Sequence, residues 1–255
     1  MMTPREFLKT TSAYFTSQEA SCILKRTPIE TAKVLHRWVK QGWIYRASRG
    51  LYAAVPLVAS ESSSLDNPLG IVPALIGEEG YVCGWSALSH WGLTEQIFCD
   101  LSLASYNTKR LKKRTLDQGH VFLFPAYPIP LRALTKLWLG DQRVFISDIH
   151  QTLVDTLIHP TWGAGMLHVI DCLKNYIHHE ACSWDLLLSH AQNAHVKGVF
   201  FKKLGFLLEQ LGGPQTVIET CQKQITQGFT PLDPHHAQGR FCLRWNLIVP
   251  EHLKI

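Results

Sequence analysis

The stretch TPIETAKVLHRWVKQGWIYRASRGLY, residues 27 to 52, decides how the chain is read. Thr27 offers a hydroxyl to the free amides of a helix start, Pro28 suits the first turn, and Glu30 completes a T-x-x-E capping box. Gly42 supplies the stop. On a helical wheel Thr31, Val34, Leu35, Trp38 and Val39 share one arc, while Lys33, Arg37 and Lys40 fall on the opposite one. One face packs and the other is cationic. Trp43 to Arg46 and Leu51 to Ala53 then bracket Ala47-Ser48-Arg49-Gly50, a strand, a turn and a strand with arginines towards the tip.

Working outward, Thr16-Ser17-Gln18-Glu19 is a second capping box, opening a short helix that ends near Leu24 before the connector Lys25-Arg26. The order helix, short turn, longer basic helix and hairpin is that of a winged helix-turn-helix, with residues 27 to 40 as recognition helix and the hairpin as wing. Each element alone has a plainer reading, since charged residues on a helix usually form its solvated face. Charge partition supports the joint reading. Residues 1 to 57 hold nine Lys and Arg against Glu6, Glu19 and Glu30, a surplus of six; the remaining 16 basic and 17 acidic residues leave a deficit of one. The cationic excess of the chain therefore sits in its first fifth, as in a DNA-binding module. The expected DNA contacts are Lys25, Arg26, Thr27, Lys33, Arg37, Lys40, Arg46 and Arg49.

With 255 residues, 46% hydrophobic and 18% charged, the chain is long enough for one small and one larger globular unit. The expected division is a winged helix over 1–57, a Ser-rich linker over 58–69 and a larger mixed α/β domain over 70–255, an α+β chain overall. Apolar runs such as Leu51 to Ala59 are far shorter than the roughly 20 residues of a membrane helix, and no signal peptide is read at the start. Seven cysteines without a C-x-x-C pair fit reduced, buried thiols in the cytoplasm. His178-His179 and His235-His236 lack metal-ligand spacing, so neither metal nor other cofactor is expected.

In the larger unit, Ser86 to Trp91 reads as a short helix ended by Gly92, and Ile97, Cys99, Leu101 and Leu103 alternate like a half-buried strand. Strands also fit Val121 to Phe124 and Arg143 to Ile146. Helices fit the segment from Asp148 onward, Met166 to Ile177, Trp184 to Ala194, Val199 to Leu211 and Pro214 to Thr226. Phe241, Leu243, Trp245, Leu247 and Val249 read as one closing strand. Lys109, Arg110, Lys112, Lys113 and Arg114 form a basic run between two strands, either a solvated loop or a second phosphate-contacting patch.

The chain resembles the AbiEi family of type IV antitoxins and related transcriptional regulators. The phrases that carry the resemblance are RWVKQGWIYRASRGLYAAVP at Arg37 to Pro56, GWSALSHWGLTEQI at Gly84 to Ile97, SDIHQTLVDTLIHP at Ser147 to Pro160, KKLGFLLEQLG at Lys202 to Gly212 and the ending from Thr230. The resemblance implies a cytoplasmic protein that represses its own operon by binding inverted repeats in double-stranded operator DNA. It also implies an antitoxin that counters a nucleotidyltransferase-like toxin without stable contact, away from any membrane. It places the DNA contacts on Lys33, Arg37, Lys40, Arg46 and Arg49. The chain departs from many relatives after Asp148, where Ile149-His150-Gln151-Thr152 stands in place of a proline followed by Glu-Arg-Thr. If that Glu-Arg pair carries the antitoxin activity, this chain is a regulator only; if the pair ties the helix terminus, Asp148 with Gln151 makes a substitute capping box.

Two other classes compete. A nuclease would need a D/E-x-K triplet to hold a cation and orient water, and a nucleotidyltransferase a D-x-D pair; neither occurs, nor do G-x-S-x-G or phosphate-loop motifs, so an enzyme is not expected. Asp148, His150 and Asp155 could meet at a helix start, but a capping Asp and a surface His are the more ordinary expectation. A ligand-responsive or stand-alone winged-helix regulator is the remaining alternative, with Trp85, Trp91, Trp138, Trp162, Trp184 and Trp245 lining a pocket or, more commonly, filling a core.

Overall fold

The computed structural model describes residues 2–55, 68–107, 114–115, 119–139, 142–193, 197–251 and 253. The chain opens with α1 (Pro4–Thr10), β1 (Tyr14–Thr16), α2 (Ser17–Leu24), α3 (Pro28–Lys40), β2 (Ile44–Ser48) and β3 (Leu51–Ala54), the strands lying in the order β1-β3-β2. All three helices begin with a capping box, Thr3 with Glu6, Thr16 with Glu19 and Thr27 with Glu30. Phe7, Phe15, Ala20, Leu35, Trp38 and Ile44 form the core between them, with Phe7 edge-on to Phe15 at 5.1 Å between ring centroids. The winged helix-turn-helix is therefore present. Helix α1 and strand β1 add to the sequence reading, although Thr3-Pro4-Arg5-Glu6 carries the same capping signature as the other two.

The larger unit starts with a 3-10 turn at Pro68–Ile71 and α4 (Val72–Ile76). Next come β4 (Gly80–Val82), α5 (Gly84–His90), β5 (Leu101–Ser105), β6 (Arg114–Thr115), β7 (His120–Pro125), β8 (Leu134–Leu139) and β9 (Gln142–Ser147). These strands form one mixed sheet in the order β6-β7-β5-β4-β9-β8. Helices α6 (Ile149–Ile158), α7 (Met166–Ile177), α8 (Trp184–Gln192), α9 (Lys197–Leu211) and α10 (Gln215–Lys223) follow, and β10 (Thr230–Pro231), β11 (Arg240–Cys242) and β12 (Leu247–Val249) close a small sheet. α6 is buried along its whole length within the helical core.

Several expectations need correction. The strand expected from Ile97 starts only at Leu101, and Ile97 is 94% exposed. All five residues of β5 are buried: Leu101 and Leu103 face the α4 side, while Ser102 bonds to the Cys83 carbonyl and Ala104 packs with Trp162. A strand covered on both faces has no reason to alternate. The closing strand is broken by a 3-10 turn at Leu243–Trp245 and by Asn246 in the left-handed conformation (φ 50°), which leaves Phe241 and Leu243 outward while Trp245, Leu247 and Val249 are buried. Cys22 and Cys99 are exposed rather than buried. Of the tryptophans, Trp85, Trp162 and Trp245 are core residues, whereas Trp138 is 66% exposed on the edge strand β8. The linker residues 58–67 lie outside the described residues.

The wing packs against the larger unit. Ala47 and Leu51 join Ile71, Val72, Leu75 and Ile76 in one buried cluster that continues into the six-stranded sheet, with Tyr14 and Tyr45 packed beside it. Gln142 Nε2 donates to Ser12 Oγ at 2.7 Å. Burial, then the hydrogen bond with Tyr45 that favours the protonated form, pushes the Tyr14 phenol up.

Candidate nucleic-acid interface

The recognition helix is fixed at its N-terminal end and from below. Thr27 Oγ1 accepts from Glu30 N while Glu30 Oε2 accepts from Thr27 N at 3.1 Å, so both ends of the box are closed. The turn before it is set by Lys25 in the left-handed conformation (φ 51°), whose N–H reaches the Cys22 carbonyl, and by Ser21 Oγ donating to the Arg26 carbonyl at 2.7 Å. Thr31, Leu35 and Trp38 face the core. These contacts leave the opposite arc in solvent.

On that arc Lys33, Arg37 and Lys40 are exposed, and Lys25 is exposed at the turn. Arg26 is half-buried, and the Thr27 hydroxyl is engaged in the cap. In the wing, Ser48 pairs with Leu51, leaving Arg49-Gly50 as the turn; Gly50 has φ +76° and its carbonyl accepts from Ser17 N at 2.9 Å. That bond ties the wing tip to the start of α2. A bulge between Tyr45 and Ser48 turns Ala47 inward and leaves Arg46 exposed, as is Arg49. The sequence reading omitted Ile29, Ala32 and His36, which are exposed on the same side of α3. Their spacing to Lys33 and Lys40 was the available signal: Ile29, Lys33, His36 and Lys40 follow an i, i+4, i+7, i+11 row.

The acids of this module are turned to its helix caps. Glu6, Glu19 and Glu30 each turn back to the start of their own helix, accepting from Thr3 N, Thr16 N and Thr27 N. Hydrogen bonds from Thr3 hold the Glu6 carboxyl below its ordinary range, and those from Thr27 do the same for Glu30. Among the described residues, no Lys or Arg of the module forms an ion pair. The second basic patch cannot be placed: Lys109, Arg110, Lys112 and Lys113 lie outside the described residues. Arg114 opens β6 opposite Val121.

A second concentration of polar groups lies at the start of α6. Asp148 caps the helix, its Oδ1 accepting from Gln151 N at 2.7 Å and its Oδ2 lying 2.8 Å from His190 Nε2. The reciprocal half of the capping box is missing. Gln151 turns inward and donates from Nε2 to Asp155 Oδ1 at 2.6 Å, with Tyr127 also donating to Asp155. Burial pushes the Asp155 carboxyl up to about 7, while the bonds from Tyr127 and Gln151 pull it down. His150 is 6% exposed, so it is a core histidine rather than the surface residue expected. Lys203, also fully buried, has its amine pushed down to about 8 by burial, with the Asp233 carboxylate acting against that shift. Among the described residues no group of three or more His, Cys, Asp or Glu side chains is placed to hold a metal, and no helix is long and apolar enough to cross a membrane.

Residues 2–55, from α1 to the end of β3, match the family described as transcriptional regulator, AbiEi antitoxin. The AbiEi resemblance holds for this part of the chain. No curated protein matches the sequence.

Proposed function

We propose that this AbiEi-related chain is a DNA-binding transcriptional repressor and the antitoxin of a type IV toxin–antitoxin pair. It acts in the cytoplasm, represses its own operon at inverted repeats, and counters a nucleotidyltransferase-like toxin encoded beside it. Lys33, Arg37 and Lys40 enter the major groove on α3, Arg46 and Arg49 track the flanking backbone from the wing, and Lys25 and Arg26 hold phosphates at the turn. The observation that supports this reading best is the outward cationic row of α3 above a module whose three acids are all committed to helix caps. The chemistry is recognition, without a catalytic residue.

The test is an anisotropy titration of the full chain against duplex DNA from upstream of its own gene and against unrelated duplex. Tighter binding to the upstream duplex, weakening steeply with salt, is expected, and Arg37→Ala should cost about 1–3 kcal/mol. Equal binding to both duplexes, or none at low salt, overturns the reading. If Lys109, Arg110, Lys112, Lys113 and Arg114 form the second patch, replacing them with Ser flattens the salt slope by roughly 0.9 per lost phosphate contact. Antitoxin activity is assigned to residues 70–255. It is tested by co-expressing the neighbouring toxin with the full chain carrying Lys33→Ala, Arg37→Ala and Lys40→Ala, under an external promoter. Rescue despite lost DNA binding supports the assignment.

A regulator without antitoxin activity, stand-alone or ligand-responsive, has one observation in its favour. Ile149, His150 and Gln151, where the chain departs from many relatives, are all buried in α6 and present nothing to a partner. Failure of the full-length protein to protect against the toxin would select this reading.

A further inference from the structure

The start of α3 exposes apolar side chains beside Glu30. Pro28, Ile29 and Ala32 are exposed, and Ile29 is 73% exposed. Ile29 lies outside the core formed by Leu35, Trp38 and their neighbours, so its side chain contributes little to holding the module together. The polar side chains of the same turn are tied to one another at the cap. Thr27 Oγ1 donates to Glu30 Oε2 at 2.8 Å and accepts from Glu30 N, and the Glu30 carboxylate is folded back onto Thr27. A base edge approaching this end of the helix therefore meets the side chains of Pro28, Ile29 and Ala32 and the remaining Glu30 carboxylate oxygen, an acceptor only, before it reaches Lys33.

A recognition helix contacts bases chiefly with its N-terminal residues. In the major groove, three of the bases present hydrogen-bonding groups alone, and thymine adds the C5-methyl, the one apolar feature there. The exposed apolar side chains at the start of α3 are complementary to that methyl. We propose that Ile29 is a specificity-determining residue that packs on a thymine methyl group, with Ala32 beside it, so that each half-site carries a required T·A pair opposite the start of α3. This rests on the DNA-binding reading above. Helical rise separates Ile29 from Lys33 by about 6 Å and from Arg37 by about 12 Å, or roughly two to four base-pair steps at 3.4 Å each. The required thymine therefore stands that far from the base pairs met by the two cations, for which guanine is the preferred partner.

The experiment uses the full-length chain and a pool of duplexes with a randomised centre. Duplexes enriched by binding are resynthesised with each thymine replaced singly by deoxyuridine, which removes the methyl group and nothing else. The expected result is one position per half-site at which deoxyuridine weakens binding about three- to ten-fold, the scale of one buried methyl-sized group. Ile29→Ala should bind the thymine duplex more weakly by a similar factor and show no further loss with deoxyuridine; Ile29→Val should retain most of the discrimination. Circular dichroism checks that the variants fold, as the exposure of Ile29 predicts. Enrichment with no deoxyuridine-sensitive position, or with sensitivity undiminished in Ile29→Ala, overturns the proposal and leaves the DNA-binding reading intact. Absence of any enrichment overturns that reading, and the assignment of Ile29 with it.

Discussion

Helices α3 and α6 begin with the same spacing of polar residues, Thr27 with Glu30 and Asp148 with Gln151, and use it in opposite ways. At α3 the turn is in water, so the glutamate folds back over the helix end and the box closes. At α6 the turn is inside the protein. Asp148 still caps, but Gln151 has a buried carboxylate within reach and satisfies that instead. A buried acceptor left without donors costs more than an open box at a cap already bonded to its threonine or aspartate. The two acids nearby shift in opposite directions accordingly, Glu30 below its ordinary range because its hydrogen bonds favour the charged form, and Asp155 above it because burial opposes the charge.

The largest expected effect comes from Asp155. Folding holds its proton up to about pH 7, against 3.8 in an open chain. A raised acid favours the folded state at low pH, and that advantage is lost as pH rises through the window between those values. The slope integrates to at most about 4 kcal/mol. Asp155→Asn keeps an oxygen to accept from Tyr127 and Gln151 but cannot ionise, so its urea stability relative to the parent chain should climb between pH 4 and 7 and level off above. A constant difference across that range would show that Asp155 does not titrate on folding. Glu30 has the opposite sign: its contribution is present above the open-chain value and fades in acid, and because the group lies in solvent it is small.

Intermediate effects separate the two caps. Asp148→Ala removes both the cap to Gln151 N and the partner of His190, which is only 7% exposed, so a loss of about 2–4 kcal/mol is expected in denaturant unfolding. Thr27→Ala removes a solvent-side cap alone and should cost about 1 kcal/mol. Equal losses at the two sites would mean that the α6 network adds nothing to an ordinary cap.

The same contrast explains which parts of the fold could be read from sequence. Around residues 27 to 52 local chemistry decides: caps, a two-sided helix and a glycine turn act within a few residues, and α2, α3 and the wing follow. The exposed cations of α3 and the wing were legible for the same reason. Ile29 does not stand out from the sequence, because an exposed apolar residue leaves no mark in a charge count. Further on, long-range burial overrides local pattern. Asp148 with Gln151 reads as a capping box at the start of a helix with one apolar side, yet α6 is enclosed on all sides. Nor does any local signal say that the wing will pack on the larger unit through Ala47 and Leu51, because that contact joins segments separated by the linker.

The smallest effect tests the place where periodicity misled. Phe241, Leu243, Trp245, Leu247 and Val249 alternate over nine residues, and one strand with those five side chains buried would make each of them a core residue. The turn at Leu243–Trp245 and the left-handed Asn246 instead reverse the chain, pairing β11 antiparallel to β12 with Phe241 opposite Ile248. Phe241 is then 63% and Leu243 76% exposed, while Trp245 is fully enclosed and donates from its indole to Glu209 Oε2 at 2.7 Å. Replacing Leu243 with Ser should change stability by no more than about 0.5 kcal/mol, as for an ordinary surface site. The same replacement in a continuous buried strand would cost several-fold more, through lost burial and an unsatisfied hydroxyl. Thermal unfolding of Leu243→Ser beside Leu247→Ser distinguishes the two arrangements: the turn predicts a large loss only at Leu247, and matching losses would restore the single strand.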